Sequence, residues 1–332
     1  NLSKYFHEIS FIFSKPFPCS PFLSPKGLTF LSDLGYDEKE KECITCPGDR
    51  FISNSKGWNL MSNRYRADYH LHSNNSPDSK AEMESICAAA VRRGFQEIAI
   101  TDHFECYTPT HPRGFFTERY LQKVQADVQR CREQFEGQLI IRQGIEIGQP
   151  GSNPALAAEI MEKFQFDYVI GSLHKMQDLD LGMISYREQR VDELCQRYLS
   201  FLYDLVDLGD FDCLGHIDLI KRYAARQGIP LNLCDYPEQL DAILEKLIAR
   251  GKGLEINTSG LRQEAAATLP GYRTLRRYRE LGGEIITIGS DAHRPEDVGA
   301  DWGEAADLAL QAGFTHYATF ENRKPTFHKL HD

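Results

Sequence analysis

No stretch of this 332-residue chain stays apolar for the roughly 18 residues that a membrane-spanning helix needs. A helical membrane anchor is therefore not expected. Positive charge is also scarce, with 38 Lys and Arg against 48 Asp and Glu and a net charge of −10 at pH 7. A nucleic-acid surface depends on clustered cations that neutralise phosphates, so that class of partner is not expected either. A local basic pocket for one small phosphate ester remains compatible with this balance. Nor is there a disulfide framework: nine cysteines, an odd number, are scattered from Cys19 to Cys234. That usage fits a reducing, cytoplasmic setting. Cys43 and Cys46 form a lone CxxC with no second pair, which reads as incidental thiols.

Residues 1–60 lack sustained periodicity of either helical or strand type. Their Phe-, Ser- and Pro-rich stretch over 11–32 also lacks the charged start and small-residue cleavage site of a secretory signal. They are expected to be a poorly structured N-terminal extension or the product of an over-called start. Met61 is a natural beginning for a folded domain over 61–332.

What the chain does have is a soluble protein's balance, 41% apolar and 26% charged residues, and an ordered series of polar motifs. Six of its eleven histidines, with three acids, occur in short motifs that each close an apolar run. In order they are Asp68-Tyr69-His70-Leu71-His72 followed by Asp78, Thr101-Asp102-His103, Gly144-Ile145-Glu146, Gly171-Ser172-Leu173-His174, Gly215-His216-Ile217-Asp218 and Gly289-Ser290-Asp291-Ala292-His293.

The apolar runs read as strands over 65–71, 97–101, 139–147, 166–170, 211–214, 253–256 and 284–288. Helix-like stretches lie between them, over 80–93, 117–135, 154–163, 186–208, 236–250, 271–281 and 301–312. Val191, Leu194, Tyr198, Phe201, Leu205 and Leu208 recur at the three- and four-residue steps of an amphipathic helix. Gly94, Gly209, Gly251 and Gly282 follow helical stretches, where a left-handed residue commonly ends a helix. Strand and helix alternating about seven times imply an α/β fold with a parallel sheet, most simply a closed TIM-like barrel. The motifs then fall at the C-terminal ends of the strands, the face on which barrel enzymes carry their chemistry.

Imidazole and carboxylate are ligands for Zn, Mn and Fe, and nine of them exceed what one ion needs. His70 and His72 lie two apart on a strand and so share a face, as do Asp291 and His293. Glu146 has two oxygens and can bridge two cations. Any one of these histidines taken singly is more simply a hydrogen-bonded packing residue. The same placement repeated on six strands makes that reading improbable.

These motifs resemble those of the PHP family of metal-dependent phosphoesterases, and within it the histidinol-phosphate phosphatases. The resemblance covers about residues 66–327 and includes the segment GHIDLIKRY, the segment EINTSG and the closing Asn322-Arg323-Lys324-Pro325. It implies a distorted (β/α)7 barrel holding three divalent ions. Carried over by motif, His70, His72, Glu146 and Asp291 hold the first ion. Glu146, His174 and His216 hold the second, with Glu146 bridging, and Asp78, His103 and His293 hold the third. One pattern in the family has histidine where this chain has Asp78.

The expected reaction is hydrolysis of a small phosphomonoester, L-histidinol phosphate by resemblance, in which cations sharing a water lower its pKa and supply hydroxide. A covalent route ranks lower, because no Cys or Ser motif comes with an activating base. Glu146, Asp291, His293 and Asp218 are the expected catalytic residues. Arg222 and Arg262 are the candidate phosphate contacts, with Lys221 and Arg113 weaker ones. Asp102 and Asp218 either orient neighbouring imidazoles or cap helices, and Asp218 is also a candidate acid for the leaving alkoxide. Trp302, His328 and His331 read as packing or surface residues. The competing readings are a PHP phosphoesterase for another monoester or nucleotide, an amidohydrolase-type deaminase, which does not require Asp78, His103 and His293, and a non-catalytic PHP module.

Overall fold

A computed structural model describes residues 64–110 and 116–331. The expected extension over 1–60, Met61, the Cys43/Cys46 pair and Arg113 lie outside the described residues. In chain order the first half forms β1 (Ala67–Leu71), α1 (Met83–Arg92), β2 (Glu97–Ile100), β3 (His103–Glu105), α2 (Glu118–Gln134), β4 (Ile140–Gly148), α3 (Pro154–Lys163) and β5 (Tyr168–Ser172). There follow β6 (Lys175–Met176), β7 (Leu179–Asp180), α4 (Val191–Leu208), β8 (Cys213–Leu214), α5 (Leu219–Arg226) and α6 (Pro237–Ala249). The chain ends with β9 (Gly253–Asn257), α7 (Tyr272–Glu280), β10 (Ile286–Gly289), α8 (Trp302–Gln311), β11 (His316–Glu321) and β12 (Lys324–Lys329).

The strands pair in parallel in the order β1-β2-β4-β5-β8-β9-β10, with β3 also on β4. The ring closes between its ends: Asp291 N donates to His70 O at 2.8 Å, and His72 N to Ala292 O at 3.0 Å. Asp68 tightens this seam, accepting from Ser290 N at 2.8 Å and Ser290 Oγ at 2.5 Å. Almost every residue of the seven barrel strands is buried, as parallel strands must be when helices cover their outer face. The seven-stranded barrel read from the alternation is the observed fold.

Local chemistry sets several helix ends. Thr117 Oγ1 accepts from Tyr120 N at 3.3 Å to start α2. Asn153 does the same for Leu156 N at 3.2 Å, with Pro154 in the first turn of α3. Gly94, Gly251 and Gly282 have the left-handed conformation expected of them. Gly209 does not; its φ is −72°, and a side chain there would crowd Leu205 O and the Phe211 ring. The long helix begins at Val191 instead of Tyr186, and its last residue, Leu208, is exposed instead of joining the apolar face.

At the end opposite the motifs, the β11–β12 hairpin seals the barrel. Its turn residues Asn322 and Arg323 are both left-handed. Arg323 N donates to Asp167 O at 2.9 Å, and its guanidinium meets Asp212 at 2.6 Å and Asp210 at 2.9 Å. Asp167 and Asp212 immediately precede β5 and β8, so the Asn322-Arg323 motif is a structural latch. Trp302 is buried, its Nε1 donating to Ala67 O at 2.9 Å, and His328 stacks on Tyr65, so both serve packing. Among the described residues no helix is long and apolar enough to cross a membrane.

Candidate metal centre

At the C-terminal mouth of the barrel the nine predicted donors come together. Glu146, fully buried on β4, stands in the middle: its Oε1 lies 3.0 Å from His174 Nε2 and 2.9 Å from His216 Nε2. Its Oε2 lies 2.8 Å from His103 Nδ1, 3.3 Å from His70 Nε2 and 3.5 Å from His72 Nε2. Asp291 Oδ1 is 3.4 Å from His72 Nε2, 3.8 Å from His70 Nε2 and 3.6 Å from His293 Nδ1. Asp78 Oδ2 completes the ring, 3.3 Å from His103 Nε2 and 3.2 Å from His293 Nε2. Four overlapping trios have donor atoms within 4.8 Å of one another: His70/His72/Asp291, His70/Glu146/His216, His103/Glu146/His174 and His72/His103/His293.

These distances are short, yet His70 Nε2, His72 Nε2, His103 Nδ1 and Glu146 Oε2 are buried without a hydrogen-bond partner. The atoms crowd together, but their donor and acceptor directions do not engage. Buried polar groups left so would each cost roughly 1–3 kcal/mol. Lone pairs converging on shared points are what divalent cations require, so the donor set fits metal ions. The ionisation states of Glu146 and His72 suit ligation too. Burial works to raise the Glu146 carboxyl, but His174, His70 and His103 outweigh it and hold its pKa well below the ordinary carboxylate range. Burial, reinforced by His103 and His293, pushes the His72 imidazole down to about 3, leaving its lone pair available.

A surrounding layer that motif reading did not identify fixes the imidazoles. Glu255, in the middle of β9, lies 2.5 Å from His70 Nδ1 and accepts from His216 N at 2.8 Å. Glu105, two residues after His103 on β3, lies 2.7 Å from His174 Nδ1 and 3.0 Å from Lys175 Nζ. Gln149, left-handed at φ 46°, donates to Glu105 at 2.7 Å and accepts from His174 N at 2.7 Å. Ser172 Oγ donates to Glu146 at 2.7 Å. Asp291 is itself left-handed at φ 53°, a strained conformation for a non-glycine residue that its bond to His70 O holds in place. The glycines before His174 and His216 serve packing: a side chain on Gly171 would strike Phe211, and one on Gly215 would strike Ser172 Oγ. We expect Glu255→Gln to weaken metal binding about 10- to 100-fold, because His70 loses its charged partner. Metal titration of activity checks this, and an unchanged midpoint would rule out the orienting role.

The remaining candidates separate. Arg222 lines the cavity, its Nη2 3.1 Å from Asp291 Oδ2 and in contact with Ser259 Oγ. Arg262 is not among the lining residues; its guanidinium donates to Ser290 O at 2.6 Å and lies 3.4 Å from Asp301, bracing the loop beneath Asp291. Asp218 is buried, does not line the cavity and makes no capping bond to α5. Lys221 is likewise absent from the wall. Asp102 accepts from Ser73 N, Ser73 Oγ and Ser76 Oγ, each at 2.7 Å, and Ser76 Oγ lies 3.2 Å from His72 Nδ1. It thus steadies His72 through Ser76 and caps no helix.

Residues 68–259, more than half of the chain, match the PHP domain. This chain belongs to the PHP family. The matched span includes seven of the nine donors, with Asp291 and His293 beyond it in the loop that follows β10. Among its relatives is a histidinol-phosphatase of Lactococcus lactis, 29% identical over 266 residues, covering 78% of this chain and 96% of the relative. A histidinol-phosphatase of Bacillus subtilis is 23% identical over 262 residues, covering 70% and 96%. The crystal structure of the Lactococcus lactis histidinol phosphate phosphatase with zinc, L-histidinol and phosphate superposes with a TM-score of 0.66 at 27% identity, covering 78% of this chain and 98% of that one.

Proposed function

We propose that this PHP protein is a metal-dependent phosphomonoesterase that hydrolyses L-histidinol phosphate to L-histidinol and phosphate in histidine biosynthesis. The observation that carries the reading is the convergence of nine imidazole and carboxylate side chains in which the buried His70 Nε2, His72 Nε2, His103 Nδ1 and Glu146 Oε2 have no hydrogen-bond partner. The named relatives, one of them solved with zinc, L-histidinol and phosphate, suggest the substrate. In this reading His70, His72, Glu146 and Asp291 would hold one divalent ion (Zn, Mn or Fe), Glu146, shared between sites, would hold a second with His174 and His216, and Asp78, His103 and His293 would hold a third. His103 also belongs near the second group, because its Nδ1 reaches Glu146. Divalent ions in such a setting lower the pKa of water and offset the charge of phosphate oxygens.

The chain's own groups do the rest. Glu146 and Asp291 keep the centre anionic and balance the cations. Arg222, fixed by Asp291 and Ser259, presents the cavity with a guanidinium that suits phosphate oxygens. The cavity, about 390 Å³, has room for a small phosphate ester and is walled by Tyr107, Phe116 and Tyr223 beyond the polar centre. His293, 29% exposed, is the most exposed imidazole of the centre. The buried thiols Cys87, Cys131, Cys195 and Cys213 suit a reducing cytoplasm, where we place the enzyme.

The test is phosphate release from a panel of phosphomonoesters, L-histidinol phosphate and nucleotides included, with bound metal measured on the same sample. L-histidinol phosphate is expected to be the preferred ester. Preference for a nucleotide or another monoester would replace the substrate. Absence of turnover with Zn, Mn and Fe supplied in turn would overturn the phosphatase reading.

A further inference from the structure

Asp78 is the most exposed of the nine donors, 53% against 29% for His293 and less for the others. It is also the donor furthest from the barrel frame, out on the loop between β1 and α1. The other two carboxylates of the centre have holders: Ser172 Oγ on Glu146, and Arg222 and Ser259 Oγ on Asp291. Among the described residues the Asp78 carboxylate pairs with the His103 and His293 imidazoles alone, and those are donors themselves. Only one methylene separates that carboxylate from its Cα, so the oxygens go where the backbone puts them. What fixes the backbone here therefore fixes the ligand.

The next residue, Ser79, is buried at the barrel seam. Along that seam Asp291 N donates to His70 O and His72 N to Ala292 O. One step further the two chains present His72 O and His293 O to the same point. Both are acceptors, so neither can satisfy the other. Ser79 Oγ stands between them, 2.9 Å from His72 O and 3.1 Å from His293 O, and accepts from Ala81 N at 3.2 Å. One hydroxyl thus ties the residue beside Asp78 to the main chain of two other donors. The far end of the loop is anchored separately. Ser73 is held by Asp102, and Asn75 Nδ2 donates to Asp127 at 3.0 Å. Loss of the Ser79 hydroxyl would leave those anchors in place and release the Asp78 end.

We propose that Ser79 is the positioning residue for the third ion: its hydroxyl, bonded to the carbonyls of His72 and His293, sets where the Asp78 carboxylate meets His103 and His293. Ser79 touches no ion and acts through Asp78. Its premise is the assignment of Asp78, His103 and His293 to one cation.

The test titrates metal-stripped parent, Ser79→Ala, Asp78→Ala and the double variant with Mn²⁺ by calorimetry, and counts the ions each retains after dialysis. Ser79→Ala is expected to weaken one of three sites about 10- to 100-fold and to leave the others within about twofold of the parent. Asp78→Ala should weaken one site at least as much. The double variant should again show a single weakened site, within about twofold of Asp78→Ala, because a residue that acts through another adds nothing once the other is gone. A merely structural Ser79 would lower the thermal midpoint of the metal-free protein and weaken all sites together. That result, parent-like affinity at every site in Ser79→Ala, or an additive double variant would overturn this inference alone. A parent that binds no divalent ion, or whose binding Asp78→Ala leaves unchanged, would overturn the metal-centre reading of Asp78 and the role of Ser79 with it.

Discussion

Replacing Glu146 by Gln lowers phosphate release by at least about 10³-fold, since several kcal/mol of charge stabilisation depend on the ions it helps to hold. The substitution changes shape hardly at all. What it removes is charge and one acceptor: an amide NH₂ replaces a carboxylate oxygen at a point ringed by imidazole nitrogens between 2.8 and 3.5 Å away. An NH₂ has no lone pair to offer a cation, so either the His70 and His103 side or the His174 and His216 side loses its shared ligand. We expect at least one fewer ion per chain by elemental analysis, with near-UV circular dichroism unchanged because the barrel seam does not pass through Glu146. Turnover within about tenfold of the parent at saturating metal would remove Glu146 from the bridging position.

The donors were legible in the sequence because a parallel barrel converts position along a strand into position in space. A polar residue closing an apolar run lands on the catalytic face whichever strand carries it. The partners of those donors were not legible for the same reason, since each pairing crosses between strands far apart in sequence. Glu255 sits inside the apolar run Gly253–Ile256, a poor place for an acid without a partner, and that was the available signal. Its partner is His70, 185 residues away. Glu105 offered a fainter cue, being two residues from His103 as His72 is from His70. Arg222 and Arg262 show where the cue fails: both follow active-face motifs, yet one faces the cavity and the other turns back to the Ser290 carbonyl. The direction of a long side chain depends on its neighbours, which residue spacing does not specify. The eight-residue α5, three-residue β3 and two-residue β6 and β7 were missed because they are too short to display a period.

Removing divalent ions with a chelator abolishes turnover and lowers the thermal midpoint, and restoring Zn, Mn or Fe reverses both. The centre packs imidazoles face to face, His72 on His103 at 4.2 Å and His72 on His293 at 4.4 Å, with unpartnered nitrogens buried among them. Ions at several hundred times their dissociation constants add about 3–4 kcal/mol to stability, which in a domain of this size raises the midpoint by about 10 °C. Protons must leave as the ions enter. Burial opposes protonation of His174, but Glu146 and Glu105 outweigh it and hold its pKa up to about 9. Burial likewise opposes protonation of His70, and Glu255 and Glu146 raise it well above the usual histidine range. A proton on His174 Nε2 or His70 Nε2 blocks the lone pair a cation needs, so apparent metal affinity rises as pH climbs through the His174 value of about 9. Metal added to weakly buffered, chelator-stripped protein should therefore acidify the solution as it raises the midpoint. Metal that restores neither stability nor turnover, or that binds without releasing protons, would mean that these imidazoles are not its ligands.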